Sequence, residues 1–234
     1  MISVAIDGPS GAGKSTVARR AAQALSFIYI DTGALYRTIG LYMSQRLEDT
    51  KDAAAVEKLL SQISINLKFI DGEQHVFLNG KDVSAEIRTP QAAMHASNVS
   101  AIPAVRVFLL EMQRDFAREN NVIMDGRDIG TVVLPKAQVK IFLTASVEAR
   151  AKRRLAEHTA RGEHIDFNEL IKEIETRDYN DSHRAIAPLK CAEDAVLLDT
   201  TALSLEESVE KVVSMIRKTL CGEKSKNKMA LEVN

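Results

Sequence analysis

Residues 8–15 read Gly-Pro-Ser-Gly-Ala-Gly-Lys-Ser, a G-x-x-x-x-G-K-S run close to the start of the chain. Before it stands a short apolar strand candidate, Ile2-Ser3-Val4-Ala5-Ile6, and after it, from Thr16 to Leu25, a helix pattern. Strand, glycine loop and helix in that order form a device for holding polyphosphate. Glycines let successive backbone N–H groups curl around phosphate oxygens. The helix N-terminus adds unpaired donors and partial positive charge. Lys14 supplies a point charge for the β- and γ-phosphates, and the Ser15 hydroxyl can ligate Mg²⁺. Gly8, Pro9, Ser10, Gly11, Ala12, Gly13, Lys14, Ser15 and Thr16 are therefore expected to bind a nucleoside triphosphate. A flexible turn with a chance lysine would need neither the strand nor the helix.

The chain's 234 residues suffice for one large or two small domains with a sizeable core. A formal net charge of −1 argues against a general nucleic-acid surface. No stretch approaches the length of apolar sequence that spans a bilayer. Asp7 interrupts the apolar N-terminus and no basic segment precedes it, so no signal peptide is expected and the location reads as cytoplasmic. Cys191 and Cys221 lack metal spacing and read as free thiols. With no H-x-x-x-H or C-x-x-C, no zinc site is expected.

Periodicity places a second strand at Phe27–Ile30, ending at Asp31, and helices at Ala34–Arg46 and Ala53–Ile63. Residues 64–84 change pattern: Ile65–Phe69 alternates, His75–Leu78 resumes a strand, and Asp71-Gly72 and Asn79-Gly80 mark turns. This predicts a small antiparallel β meander inserted in an α/β chain. Helix returns over residues 91–119, broken at Pro103. Val122–Met124, Val139–Leu143 and Ala195–Leu198 are further buried strand candidates. A charged helical region from Val147 to about Arg184 breaks at Gly162–Asp166, where Asp166-x-x-Glu169 opens a new helix, as Ser204-x-x-Glu207 does for a last helix to about Leu220. Residues 221–234 are Lys-rich, without periodicity, and read as a disordered tail. Five apolar strands alternating with helices predict an α/β fold: a five-stranded parallel sheet covered on both faces, with ligands past the carboxyl ends of its strands.

The polar residues at those ends carry the chemistry. Asp31-Thr32-Gly33-Ala34-Leu35-Tyr36-Arg37 follows the second strand, and Arg37 can offer a forked donor to phosphate. Asp125-Gly126-Arg127-Asp128-Ile129-Gly130-Thr131 follows the third, where Asp125 can hold Mg²⁺ directly or through water. Arg127 and Asp128 read either as ligand-facing or as a local ion pair in a turn. Arg177, Asp181 and Arg184 are spaced to share one helical face, with Asp181 able to hold both guanidinium groups. Together with Arg150, Arg153, Arg154 and Arg161, arginine is dense here, and bidentate phosphate recognition favours it over lysine.

Together with Ile87-Arg88-Thr89, Arg177-Asp178 and Arg184-Ala185-x-Ala187-Pro188-Leu189, these motifs resemble bacterial cytidylate kinases over roughly residues 2–220. The resemblance implies a P-loop kinase fold with the core at 1–40 and 105–220, a CMP-binding insert at 41–104 with its meander about 64–84, and a short helical lid about 153–166 carrying Arg153, Arg154 and Arg161. It implies ATP-dependent phosphorylation of CMP and dCMP with Mg²⁺, by a monomer without nucleic-acid or membrane partners. Lys14, Arg127 and Arg184 would be catalytic. Arg37, Arg127 and Arg184 resemble the arginines that clamp the CMP phosphate, Ser97, Arg106 and Asp128 those that read cytosine, and Arg177 and Asp181 the pair beside the sugar. Thr32, Tyr36 and Asp125 would complete the CMP site, with Ser15 toward the metal. Ser15 departs from several relatives, which have glycine, and Asn180 stands where some carry arginine.

Two other readings remain open. A P-loop kinase for another monophosphate, a sugar or a shikimate-like acceptor would share the fold. A GTPase-like switch would need an N-K-x-D segment, and Asn227-Lys228-Met229-Ala230 lacks the aspartate.

Overall fold

The computed structural model describes residues 1–70 and 72–231, with 222–231 described by their backbone alone. Along the chain run β1 (Ser3–Asp7), α1 (Lys14–Leu25), β2 (Ile28–Asp31), α2 (Thr32–Ser44), α3 (Ala53–Leu60), β3 (Ile65–Ile70), β4 (Glu73–Leu78) and β5 (Lys81–Asp82). There follow α4 (Pro90–Ser100), α5 (Pro103–Glu119), β6 (Val122–Gly126), β7 (Val139–Thr144), α6 (Val147–Ala160), α7 (Phe167–His183), β8 (Val196–Asp199) and α8 (Leu205–Leu231).

Short polar side chains set most helix starts by accepting amides that the first turn leaves unpaired. Asp31 caps α2 through Ala34 N–H, Asp52 caps α3, Thr89 caps α4 ahead of Pro90, and Asp166 caps α7. At α8 the box is reciprocal: Ser204 Oγ accepts from Glu207 N–H, and Glu207 Oε2 accepts from Ser204 N–H. In α1 the cap is Gly13 in the left-handed region, at φ 88°, with no side-chain cap. The leading amides of that helix are left for a ligand.

The chain forms two units, one of Met1–Tyr29 with the chain from Asn120 onward, the other Ile30–Glu119. The main sheet has strand order β2-β6-β1-β7-β8. β1 is its centre and pairs in parallel with β6, Asp7 opposite Gly126, and with β7, Asp7 opposite Phe142. Val4 to Asp7 and all of β6 are buried, as expected of strands covered on both faces. On one side Val4, Ile6, Ile141 and Leu143 pack with Val17, Ala18 and Ala21 of α1 and Val212 and Ile216 of α8. Within the same unit α6 and α7 form a helical pair around Ala151, Leu170 and Ile174.

The second unit has its own core. Leu35, Ile39 and Met43 of α2 pack with Val56 of α3, Val76 and Leu78 of β4, Val99 of α4, and Val105 and Leu109 of α5. The β3-β4-β5 meander is antiparallel, and Asn79 and Gly80, at φ 48° and 85°, make the two-residue turn between β4 and β5. Asp71, expected in the other turn, lies outside the described residues. The unit is larger than the expected 41–104 insert. α2 and α5 belong to it because their apolar faces are buried against the meander and α4, so its ends fall at Ile30 and Glu119.

Other differences are at boundaries. α2 starts at Thr32 rather than Ala34 because Asp31 supplies the cap. The backbone of α8 stays helical to Leu231, past the end expected near Leu220; that segment lacks proline and is mostly Glu, Lys, Met, Ala and Leu. The expected tail at 221–234 otherwise lies outside the described residues. Among the described residues no single helix is long and apolar enough to cross a membrane. Only α4 and α5 taken together reach that length, and they are bent by 102° at their break.

Gly40 of α2 marks where two helices touch backbone to backbone. A Cβ there would lie 2.8 Å from Ala96 N and 2.9 Å from the His95 carbonyl carbon of α4. Gly40→Ala is expected to destabilise the protein by about 1–3 kcal/mol, as overpacking does. Urea denaturation followed by circular dichroism measures it, and an unchanged midpoint would contradict this packing.

Candidate active site

Gly8 leads the chain off β1 at φ 149°, and a Cβ there would sit 1.9 Å from the Leu143 carbonyl oxygen of β7. No side chain fits, so the loop lies flat against the neighbouring strand. Three cations then take its carbonyls. Lys14 Nζ donates to Pro9 O at 2.7 Å, Arg150 Nη1 to Ser10 O at 2.9 Å, and Arg153 Nη1 to Ala12 O at 3.2 Å. In a trans peptide C=O and N–H point opposite ways. Drawing the carbonyls of Pro9, Ser10 and Ala12 to one side turns the N–H groups of Ser10, Gly11 and Gly13 to the other. That produces the concave nest of donors a polyphosphate needs.

Arg150 was absent from the expected site and is the residue most deeply involved in shaping it. Its side chain is 4% exposed; Nε also donates to Ala145 O, and Nη2 pairs with Asp178 Oδ2 of α7 at 2.6 Å. The available signal was an arginine on the inward face of α6, beside the apolar Val147 and Ala151. Arg153, expected in a lid, instead binds the loop and the residue after β8, donating to Thr200 O at 2.5 Å. Arg154, expected beside it, pairs with Glu173 of α7 at 2.8 Å. Of the three lid arginines only Arg161 lies in the connection between α6 and α7, where it is exposed. These two helices pack through a small apolar core, and Arg153 and Arg154 lie on the first of them.

At the end of β6, Asp125 is 4% exposed and held on both oxygens. Oδ2 accepts from Ser15 Oγ at 2.9 Å and Oδ1 from Tyr29 Oη at 2.8 Å. A hydroxyl and a carboxylate converging beside the loop are the hard oxygen donors that Mg²⁺ takes, so the expected metal role of Ser15 fits the residues around it. Tyr29, not singled out in the sequence, fixes the carboxylate's rotation.

The next residues separate. Arg127 Nε donates to Asp181 Oδ2 of α7 at 2.7 Å, while Asp128 faces Arg184 Nη2 at 3.5 Å. The adjacent Arg127 and Asp128 therefore reach different partners and do not form a local pair. The expected sharing of one helical face by Arg177, Asp181 and Arg184 is corrected at its end. Arg184 caps the end of α7 in extended conformation, with Nε donating to Ala187 O at 2.6 Å, so it leaves the shared helical face. Burial works to raise the Asp181 carboxyl, but Arg127, by charge and hydrogen bond, and the charges of Arg177 and Arg184 hold it below the usual range. Asp7, at the end of β1, accepts from Ile129 N–H and Gly130 N–H, both at 2.7 Å, and so anchors the turn after Asp128. Burial raises its carboxyl to about 6 against the pull of those two bonds.

Lys14 is 5% exposed. Burial, then the charge of Arg127, lowers its ammonium to about 7, with Asp125 and Asp181 opposing. A nucleotide phosphate beside it would raise that value again. All of these residues, from the loop to Arg184, lie in the first unit.

The second unit holds Thr32, Tyr36, Arg37, Ser97 and Arg106. Arg37 Nη2 pairs with Asp31 Oδ2 at 2.6 Å, and Gly33 leaves room for the pair: a Cβ there would meet Arg37 Nη1 and Asp31 Oδ1, each at 3.1 Å. Arg106 of α5 is 8% exposed, donates to Ser100 O, and lies 5.5 Å over the Tyr36 ring. Ser97 is half-buried on α4, and Thr32 is buried at the head of α2.

A family profile described as cytidylate kinase matches residues 4–218. The chain belongs to the cytidylate kinase family. It is 51% identical over 218 residues to a cytidylate kinase of Lactobacillus johnsonii, covering 93% of this chain and 95% of that one. It is 48% identical to a cytidylate kinase of Caldicellulosiruptor bescii, covering 95% and 98%. A solved structure of an uncharacterized protein from Eubacterium ventriosum matches with TM-score 0.50 at 12% identity, covering 93% of this chain and 98% of that one, and bears on fold alone. Membership makes this chain a nucleotide-binding kinase with a P-loop fold.

Because Lys14 is lowered to about 7 in the free protein, it is largely neutral at pH 8 and must regain its proton when a phosphate approaches. ADP is fully ionised at that pH, so its binding is expected to take up close to one proton. Calorimetry in buffers of differing ionisation enthalpy reads this, and Lys14→Met should abolish it. Binding enthalpy independent of buffer in the unaltered protein would contradict the expectation.

Proposed function

We propose that this chain transfers the γ-phosphate of ATP to CMP and dCMP, giving ADP with CDP or dCDP, as a cytoplasmic monomer using Mg²⁺. The observation that carries the reading is the crowding of buried and half-buried cations beside the loop. Arg127, Arg177 and Arg184 surround Asp181, and burial, then the charge of Arg127, lowers the Lys14 ammonium despite Asp125 and Asp181. A phosphoryl group in transfer is the anion that relieves this.

The attacking atom is a phosphate oxygen of CMP, whose second pKa is near 6 as in other phosphate monoesters. It is already largely ionised at pH 7, so no general base is required. The obstacle is the approach of two anions in line, and it is met by fixed positive charge. Lys14 and the loop amides hold the β- and γ-phosphates of ATP. Ser15 and Asp125 would hold Mg²⁺, which supplies neutralisation of phosphate charge. Arg37, Arg127 and Arg184 take the acceptor phosphate, and Arg177 and Asp181 the sugar. Pairing with Asp31 and Asp181 keeps Arg37 and Arg127 oriented before substrate arrives. Exclusion of water from the assembled site keeps the γ-phosphate from hydrolysis.

Ser97, Arg106 and Asp128 are assigned to cytosine. Cytosine offers an amino donor next to a ring acceptor, and uracil reverses both. A carboxylate accepts from the first and a guanidinium donates to the second. The wrong base leaves buried groups unpaired, which costs up to on the order of 10⁴-fold in favourable cases.

The test is ADP formation from ATP with each nucleoside monophosphate in turn. CMP and dCMP are expected to give the highest kcat/KM; a preference for another monophosphate, or for a sugar or shikimate-like acceptor, would overturn the assignment. Arg106→Ala and Asp128→Ala are each expected to lower CMP-over-UMP selectivity by at least about tenfold while KM for ATP changes little. Unchanged selectivity in both would remove them from base recognition. Lys14→Ala is expected to lower kcat by about 10²-fold or more with CMP binding retained; near-normal turnover would refute its role.

A further inference from the structure

β4 carries a polar residue where its pattern calls for an apolar one. Val76 and Leu78 are buried in the core of the second unit. Side chains alternate along a strand, so Gln74 shares their face. It does not pack there as a hydrophobe. Its amide oxygen accepts from Asp31 N–H at 2.9 Å and its amide nitrogen donates to Asp31 O at 3.3 Å. β2 is an edge strand of the main sheet, and an edge presents unpaired N–H and C=O groups. The Gln74 side-chain amide occupies one such pair as a neighbouring strand's peptide would.

Asp31 carries more than its own backbone. Oδ1 caps α2 through Ala34 N–H at 2.9 Å, and Oδ2 holds Arg37 at 2.6 Å. The carboxylate grips one amino group of the guanidinium, and Arg37 Nε is buried with no hydrogen-bond partner among the described residues. A buried N–H donor of that kind is costly unless a ligand takes it. The chain of contacts runs from Gln74 to the Asp31 backbone, to the Asp31 carboxylate, to Arg37, whose buried Nε is a donor an anion could take.

We infer that Gln74 is a positioning residue for phosphate binding: it locks the Asp31 backbone so that Asp31 aims Arg37 at the acceptor's phosphate. This gives the meander a part in phosphate recognition without touching substrate. The inference rests on the acceptor reading above, in which Arg37 takes the CMP phosphate.

The experiment is a double-mutant cycle on the full chain, with CMP and cytidine as ligands in calorimetry. Gln74→Ala is expected to weaken CMP about tenfold, the effect of losing one well-directed charged hydrogen bond, and to leave cytidine, which lacks the phosphate, within about twofold. In an Arg37→Ala background the same substitution is expected to change CMP affinity by less than about twofold, since its route to the ligand is gone. Undiminished loss in that background, equal weakening of CMP and cytidine, or no loss of CMP affinity would each overturn the inference. A wild-type chain that binds no CMP would overturn the acceptor reading instead. The bridge itself is read separately by hydrogen exchange at the Asp31 amide, expected to quicken about tenfold in Gln74→Ala; unchanged protection there overturns the inference whatever the substrate.

Discussion

The site depends first on which way the peptide planes of the glycine loop face. Glycine permits the loop's turns but does not select among the orientations it allows. Selection comes from Lys14, Arg150 and Arg153, which take the carbonyls of Pro9, Ser10 and Ala12 and so direct the following amides to the opposite side. Two of the three cations come from α6, some 140 residues along the chain. Arg150 suits this work because its planar fork makes several directed bonds at once: to Ala145 O, to Ser10 O and to Asp178. The loop is thus shaped by a helix far from it in the chain.

The same region keeps its carboxylates too few and too well engaged to neutralise its cations. Asp125 is committed to Ser15 and Tyr29, and Asp181 to Arg127. What the carboxylates do is orient. Asp125 fixes the Ser15 and Tyr29 hydroxyls, and Asp181 fixes the Arg127 guanidinium. Strain in this balance appears in the lowered Lys14 ammonium and the raised Asp7 carboxyl, two buried groups that would each be more easily ionised in solvent.

Asp31 shows how much of such a site can be read from the chain. Its place at the end of an apolar strand singled it out, and the structure adds that it caps α2. The meander was legible from its alternation and its Asn79-Gly80 turn, and the start of α7 from Asp166. Less legible were the ends of the second unit, because whether α2 and α5 belong to the sheet or to the insert turns on which apolar face each helix buries. The pairing of Arg127 with Asp181 instead of its neighbour Asp128 was also hidden. Side-by-side residues on a turn diverge, while residues 54 apart converge once β6 and α7 are docked. Gln74 left a faint trace, a polar residue in an inward register, but nothing local to it names Asp31 as its partner.

By itself the sequence determined the α/β alternation, the glycine loop with its lysine, the helix caps and the residue types clustered at the strand ends. These depend on periodicity, backbone sterics and bonds within a few residues, all of which a linear chain carries. Only the tertiary structure decided that Arg150 and Arg153 shape the loop, that Tyr29 steadies Asp125, that Asp181 holds Arg127, and that Gln74 grips Asp31. Each is a contact of a few ångströms between distant segments. Its direction is set by sheet register and helix packing, which no local pattern encodes.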